Sequence, residues 1–224
     1  MPDRPGQRLL DVVAVMDRLR SPGGCPWDAQ QTHASLMPYL LEEAYETYDA
    51  LERGDLEHLR EELGDLLLQI VFHARISSET GWGIDDVAGD LVDKLVRRHP
   101  HVFAGAPADD LEGSWEALKA AEKGRVSVTE GVPLGQPALS LAAKLQRRAA
   151  RVGAPVPTGD GSLGGRLWDL VAECAEQGVD PEVALREVAR GFRDRLAAVE
   201  ATLAGEGRDP KQLAPEEWAD RLGG

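Results

Sequence analysis

At 224 residues, 42% of them hydrophobic and 29% charged, the chain has ample length for one large or two small globular domains with a buried core. Its net charge of −14, with no basic patch on the scale of a nucleic-acid footprint, argues against duplex DNA or an anionic membrane surface as partner. Cys25 and Cys174 are far apart and form no CxxC, so neither a disulfide framework nor a zinc knuckle is indicated. With no signal peptide and no membrane-length apolar run, the sequence reads as a cytoplasmic protein.

Residues 8–20 carry Leu9, Val12, Val13, Met16 and Leu19 at helical spacing, ending at the breaker Ser21-Pro22-Gly23-Gly24. A polar run around Trp27 follows, from Cys25 to His33. On one reading Trp27 plugs the end of a bundle and Asp28 or Thr32 caps the next helix. On the other, Trp27 stacks on a nucleobase with Asp28 beside it to hydrogen-bond. Spacing alone favours the first.

Two amphipathic helices come next. The first places Leu36, Tyr39, Leu40, Ala44, Tyr48 and Leu51 on one stripe; the second does so with Leu56, Leu59, Leu63, Leu66, Ile70 and Ala74. Between them Arg53-Gly54-Asp55 reads as helix end, terminator and N-cap, a connection so short that the helices must be antiparallel neighbours. Glu43 and Glu46 on the first, and Glu62 and Asp65 on the second, each lie three residues apart at the edge of the apolar stripe. Such pairs share a face, about 60° apart around the axis. A lone acidic pair is ordinarily a solvated face, but two pairs on adjoining helices, both beside buried surface, predict a divalent cation between them. An all-oxygen donor set suits Mg²⁺ or Mn²⁺ better than Zn²⁺.

Thr80-Gly81-Trp82-Gly83 stops the second helix, and Asp85 or Asp86 is expected to cap a third with Val87, Leu91, Val92 and Leu95 inward. Pro100 ends it. Lys94, Arg97 and Arg98, close to His99 and His101, either complement the helix dipole or bind a polyphosphate; spacing leaves both open. Residues 104–137 are rich in Ala, Gly and Pro around one short helix, Ser114 to Lys119, and read as a linker or lid. Further helices are expected from Pro137 to Val152, over 166–177, from an Asp180 cap with Pro181 at the first helical position to about Leu203, and around Trp218 and Leu222. No segment alternates long enough to be a strand, so the fold class is all-α: a helical bundle over 1–105, a linker over 106–136 and a second helical unit over 137–224. A faint internal repeat aligns Gly64-Asp65-Leu66-Leu67 with Gly165-Arg166-Leu167-Trp168, and Gly83-Ile84-Asp85 with Gly178-Val179-Asp180. Glu62 then matches Leu163 and Asp65 matches Arg166, so the second copy is expected to be structural.

The run Cys25-Pro26-Trp27-Asp28, Gln31-Thr32-His33, Leu41 to Glu46, Glu61 to Leu67 and Lys94 to Phe103 closely resembles the MazG family, over residues 8–123. Its acidic signature, EExxE and later ExxD, is matched by Glu42, Glu43, Glu46, Glu62 and Asp65. The resemblance implies a dimeric antiparallel helical bundle and Mg²⁺-dependent cleavage of NTPs and dNTPs to monophosphate and pyrophosphate, in house-cleaning or nucleotide-pool control. It implies Glu43, Glu46, Glu62 and Asp65 as metal ligands with Glu42 supporting, Lys94, Arg97 and Arg98 on the phosphates, and Trp27 near the base. Asp28, His99 and Lys119 complete the candidate substrate-binding set. Two-repeat members of the family carry an acidic motif in both copies, and this chain does not. A surplus carboxylate, Glu42 or Glu61, would serve as general base. A carboxylate-bridged di-iron bundle is disfavoured, since none of the five histidines has a Glu three positions before it. The non-enzyme alternative is a nucleotide-sensing or scaffolding bundle.

Overall fold

The computed structural model describes residues 6–105 and 127–223, and the chain divides into two units, Met1–Lys119 and Ala120–Gly224. The described residues are helical, without strands. The first unit contains α1 (Gln7–Arg20), α2 (Pro26–Gln30), α3 (His33–Arg53), α4 (Leu56–Ser77), α5 (Ile84–Arg98) and α6 (Pro100–Phe103). The second contains α7 (Ala138–Arg151), α8 (Leu163–Glu176), α9 (Pro181–Gly205), a short 3₁₀ turn (Pro210–Gln212) and α10 (Pro215–Leu222). The short helix expected from Ser114 to Lys119 lies outside the described residues.

Local chemistry sets the boundaries. Ser21 ends α1, and the chain then passes so close to it that a Cβ on Gly24 would lie 2.2 Å from the Leu19 carbonyl oxygen. Thr32 caps α3 in a reciprocal capping box with Ser35, as one of the two expected caps. Asp28 instead lies within α2, a single turn that the polar run does not announce. Gly54, at φ 67°, closes α3 in the left-handed conformation, and the Asp55 carboxylate then accepts from the His58 N–H to open α4. This two-residue turn makes α3 and α4 an antiparallel pair, and they pack on each other more extensively than any other helices.

Which faces meet differs from the sequence expectation. On α4 the interior row is His58, Glu62, Asp65, Gln69 and Phe72, at alternating steps of four and three, with Glu62, Gln69 and Phe72 buried and His58 and Asp65 half-buried. On α3 it is Leu36, Glu43, Thr47 and Ala50. Much of the stripe expected inside is turned outward: Leu56 is 76% exposed, and Leu63, Ile70, Tyr39, Leu40 and Leu51 are exposed too, while Leu36 and Ala74 are buried as expected and Tyr48, Leu59 and Leu66 are half-buried. Likewise Leu91, Val92 and Leu95 of α5 are exposed rather than inward. Periodicity reveals that a helix has an apolar face; it says nothing of what covers that face. The unit's apolar core lies at one end of the α3–α4 seam, where Leu36, Val71, Phe72 and Met16 of α1 cluster. Arg75 ties α4 to α1 through Asp17 at 2.7 Å. Beside this core His33 and His73 stack, ring planes 7° apart, their Nδ1 atoms 2.7 Å apart, with His33 Nε2 3.1 Å from Ser77 Oγ.

In the second unit Val171 and Leu203 are buried, and Gln146 of α7 donates to the Trp168 carbonyl of α8 at 2.9 Å. Ser162 caps α8 and starts it at Leu163, earlier than expected, while Asp180 and Pro181 open α9 as expected. Gly64 lies inside α4, whereas its repeat counterpart Gly165 lies in the first turn of α8, so α8 begins at Leu163, the match of Glu62, and lacks the turn that carries His58 in α4. Leu163 and Arg166 are exposed.

Candidate active site

The Gly54–Asp55 turn fixes the register in which Glu43 of α3 comes opposite Glu62 and Asp65 of α4. One oxygen from each of these three carboxylates lies within 4.8 Å of the other two. Glu62 is the most enclosed, at 4% exposure. Its Oε1 is 3.1 Å from Nδ1 of His58, one turn earlier, while Oε2 is buried with no hydrogen-bond partner. His58, Glu61 and Glu62 form a second such group, so Glu62 belongs to both.

Carboxylates this close disfavour one another's charge. Burial, then the charges of Glu46, Asp65 and Glu61, push the Glu62 carboxyl above its ordinary range, against the opposing pull of His58. Burial and then Asp65, Glu46, Glu62 and Glu42 push Glu43 the same way. Glu46 and Glu42 are exposed and outside the three-oxygen group, and they reach it through their field. A buried oxygen left without a donor, beside Glu43 with its raised affinity for protons and the carboxylate of Asp65, is a site that a divalent cation would satisfy. Oxygen donors fit a hard cation. Among the described residues, both metal-competent groups lie in the first unit.

Trp27 is half-exposed and stands edge-on to Tyr39 and Phe72, with centroids 6.2 and 6.5 Å away. Phe72 lies two turns beyond Asp65, about 10 Å along α4. Arg20 anchors this corner: its Nη1 donates to the carbonyls of Asp28 and Gln31, Nη2 pairs with Glu79 at 3.2 Å, and the guanidinium lies 5.6 Å from the Phe72 centroid. Trp27 thus meets the aromatic end of the bundle and still presents a free face. Lys94 lines a shallow groove with Trp82, Asp86, Val87, Asp90 and Leu91, a set that includes none of the clustered carboxylates. Arg97 and Arg98 occupy the last turn of α5, and His99 Nδ1–H donates to the Leu95 carbonyl. Lys119 lies outside the described residues.

Sequence reasoning passed over His58 and Gln69. Their signal is the four-three-four-three spacing 58, 62, 65, 69, 72, which the stronger leucine stripe obscures.

The MazG nucleotide pyrophosphohydrolase domain model matches residues 31–103, the span holding α3, α4, α5 and every clustered carboxylate. Similarity extends further. A nucleoside triphosphate pyrophosphohydrolase/pyrophosphatase MazG of Thermotoga maritima is 38% identical, over 96% of this chain and 95% of its own. The chain belongs to the MazG family. An uncharacterised 26.1 kDa protein of Streptomyces cacaoi is 54% identical over 88% of this MazG-family chain and 85% of its own length. A nucleoside triphosphate pyrophosphohydrolase of Mycobacterium tuberculosis is 45% identical over 89% of this chain, which spans only 60% of that protein. The domain match stops before the second unit, but these alignments run over most of the chain, so the MazG relatives share both units. No helix among the described residues is long and apolar enough to cross a membrane.

Proposed function

We propose that this chain is a Mg²⁺-dependent nucleoside triphosphate pyrophosphohydrolase, converting NTPs or dNTPs and water to the monophosphate and pyrophosphate, as a cytoplasmic homodimer. The observation that carries the reading is the convergence of Glu43, Glu62 and Asp65 around a buried, unpartnered Glu62 oxygen. Family membership and the names of the relatives support the same chemistry.

Glu43, Glu62 and Asp65 would hold the ion, with Glu46 completing the set. Bound there, the cation supplies charge neutralisation for the polyphosphate and a coordinated water of lowered pKa. The chain's own residues do the rest. His58 fixes one oxygen of Glu62 and leaves the other for the ion. Glu61, exposed next to Glu62, or Glu42, exposed next to Glu43, accepts the proton from the attacking water. Lys94, Arg97 and Arg98 counter the phosphate charge, Asp28, His99 and Lys119 complete the substrate-binding set, and the free face of Trp27 takes the base. The exposed rows Leu56, Leu63, Ile70 and Leu91, Val92, Leu95 support a homodimer, because surface this apolar on a soluble bundle calls for a covering partner.

Incubation of the purified protein with each NTP and dNTP, non-standard ones included, and Mg²⁺ should release pyrophosphate and monophosphate. Asp65→Ala should abolish the release while the helical circular dichroism is kept. Absence of release from every nucleotide would favour a nucleotide sensor, and turnover surviving Asp65→Ala would move the chemistry elsewhere.

A further inference from the structure

Gln69 is a long polar side chain at 4% exposure, and its Oε1 is buried with no hydrogen-bond partner. A buried amide oxygen left unpaired costs on the order of 1–3 kcal/mol, so its retention calls for a donor. Its place in the fold narrows what that donor is. Gln69 stands on the interior row of α4, one turn beyond Asp65 and one turn before Phe72. The carboxylates that would grip the polyphosphate lie on one side of it, and the Trp27–Tyr39–Phe72 aromatic corner lies on the other. Along the helix axis Gln69 is about 6 Å from Asp65 and about 4.5 Å from Phe72. A nucleotide laid with its phosphates on the acids and its base against Trp27 passes its sugar over this position, and the groups a sugar offers to an acceptor are its hydroxyls.

We propose that Gln69 is a specificity-determining residue that reads the sugar, its carboxamide oxygen accepting a hydrogen bond from the 3′-hydroxyl that ribose and deoxyribose share. This rests on the nucleotide reading above. It goes beyond that reading by assigning the discrimination to one side chain outside the acidic signature. It also separates the roles along α4: charge at residues 62 and 65, sugar at 69, base at the level of 72. A site built to accept from a hydroxyl rejects an analogue lacking it, because the acceptor is again left unpaired.

The test compares dATP with 2′,3′-dideoxy-ATP, in turnover with Mg²⁺ and in equilibrium binding of their α,β-methylene analogues, for wild type and Gln69→Leu. The wild type should prefer the hydroxyl-bearing nucleotide by at least about tenfold, as a lost hydrogen bond of this kind implies. Gln69→Leu, close in volume, should lose that preference, chiefly through KM, and Gln69→Asn should restore part of it. Equal handling of both nucleotides by wild type, or an undiminished preference in Gln69→Leu, overturns the assignment while leaving the hydrolase reading intact. Failure of the wild type to bind or cleave any nucleotide overturns both. Circular dichroism melts of each variant separate a sugar effect from a folding defect.

Discussion

Glu62→Gln separates a metal centre from an ordinary acidic surface, because the two readings give opposite signs. The substitution keeps the shape and lets the amide oxygen still accept from His58 Nδ1, 3.1 Å away. It removes one negative charge from a group whose oxygens lie within 4.8 Å of one another. Without metal, repulsion from Glu43, Glu46 and Asp65 is relieved, so the variant should melt above the wild type. With Mg²⁺ the order should reverse. At a hundred times its Kd a bound ion stabilises the folded state by about 2.7 kcal/mol, which for a unit of roughly 100 residues raises Tm by roughly 10–20 °C. Loss of even a supporting group weakens metal affinity 10–100-fold, so loss of a direct oxygen should cost about 100-fold. At the same Mg²⁺ concentration the shift should then shrink to about 2–3 °C. Differential scanning fluorimetry with EDTA and across a Mg²⁺ titration reads both numbers. A metal-free variant no more stable than wild type, together with an undiminished Mg²⁺ shift, would refute the convergence of these carboxylates on one ion.

Three further outcomes follow from the packing. Leu36→Ala, at the fully buried centre of the Met16–Val71–Phe72 cluster, should cost about 2–5 kcal/mol in urea denaturation, and a loss under 1 kcal/mol would mean that this end of the seam is not the core. His73 has a pKa lowered from its ordinary 6.5, first by burial and then by His33, so its contribution to stability is fully present above pH 6.5 and is lost as pH falls through the lower folded value. NMR titration of the His73 ring should place its midpoint below 6.5, and His73→Phe should flatten the acid limb of the Tm profile. Leu63→Lys on the outward row should turn a dimer into a monomer in light scattering with α3 and α4 still folded; a protein already monomeric would leave that row without a partner.

Much of the helix pattern was legible because its signals are local. Gly54 and Asp55 announce the α3–α4 turn, Pro100 the end of α5, and Asp180 with Pro181 the start of α9, each through a backbone requirement that neighbours cannot override. The short α2 and the early start of α8 escaped, since a single turn and a Ser cap inside a Gly-rich stretch leave weak patterns. The acidic residues were found by type and spacing, yet their setting was misjudged. By spacing they border an interior leucine stripe; in the structure Glu43, Glu62 and Asp65 are part of the seam.

The sequence alone determined that two acidic helices must run antiparallel, because a one-glycine, one-cap connection permits nothing else, and that their carboxylates recur at one-turn intervals. Tertiary structure decided which of two competing faces on α4 meets α3. Leu56, Leu63 and Ile70 form as good a helical row as His58, Glu62, Asp65, Gln69 and Phe72, and hydrophobicity ranks the first above the second. Contact across the pair, fixed by Leu36 against Phe72 and His33 against His73, selects the polar row, and by doing so draws the Glu62 oxygen out of water to where a cation is worth binding.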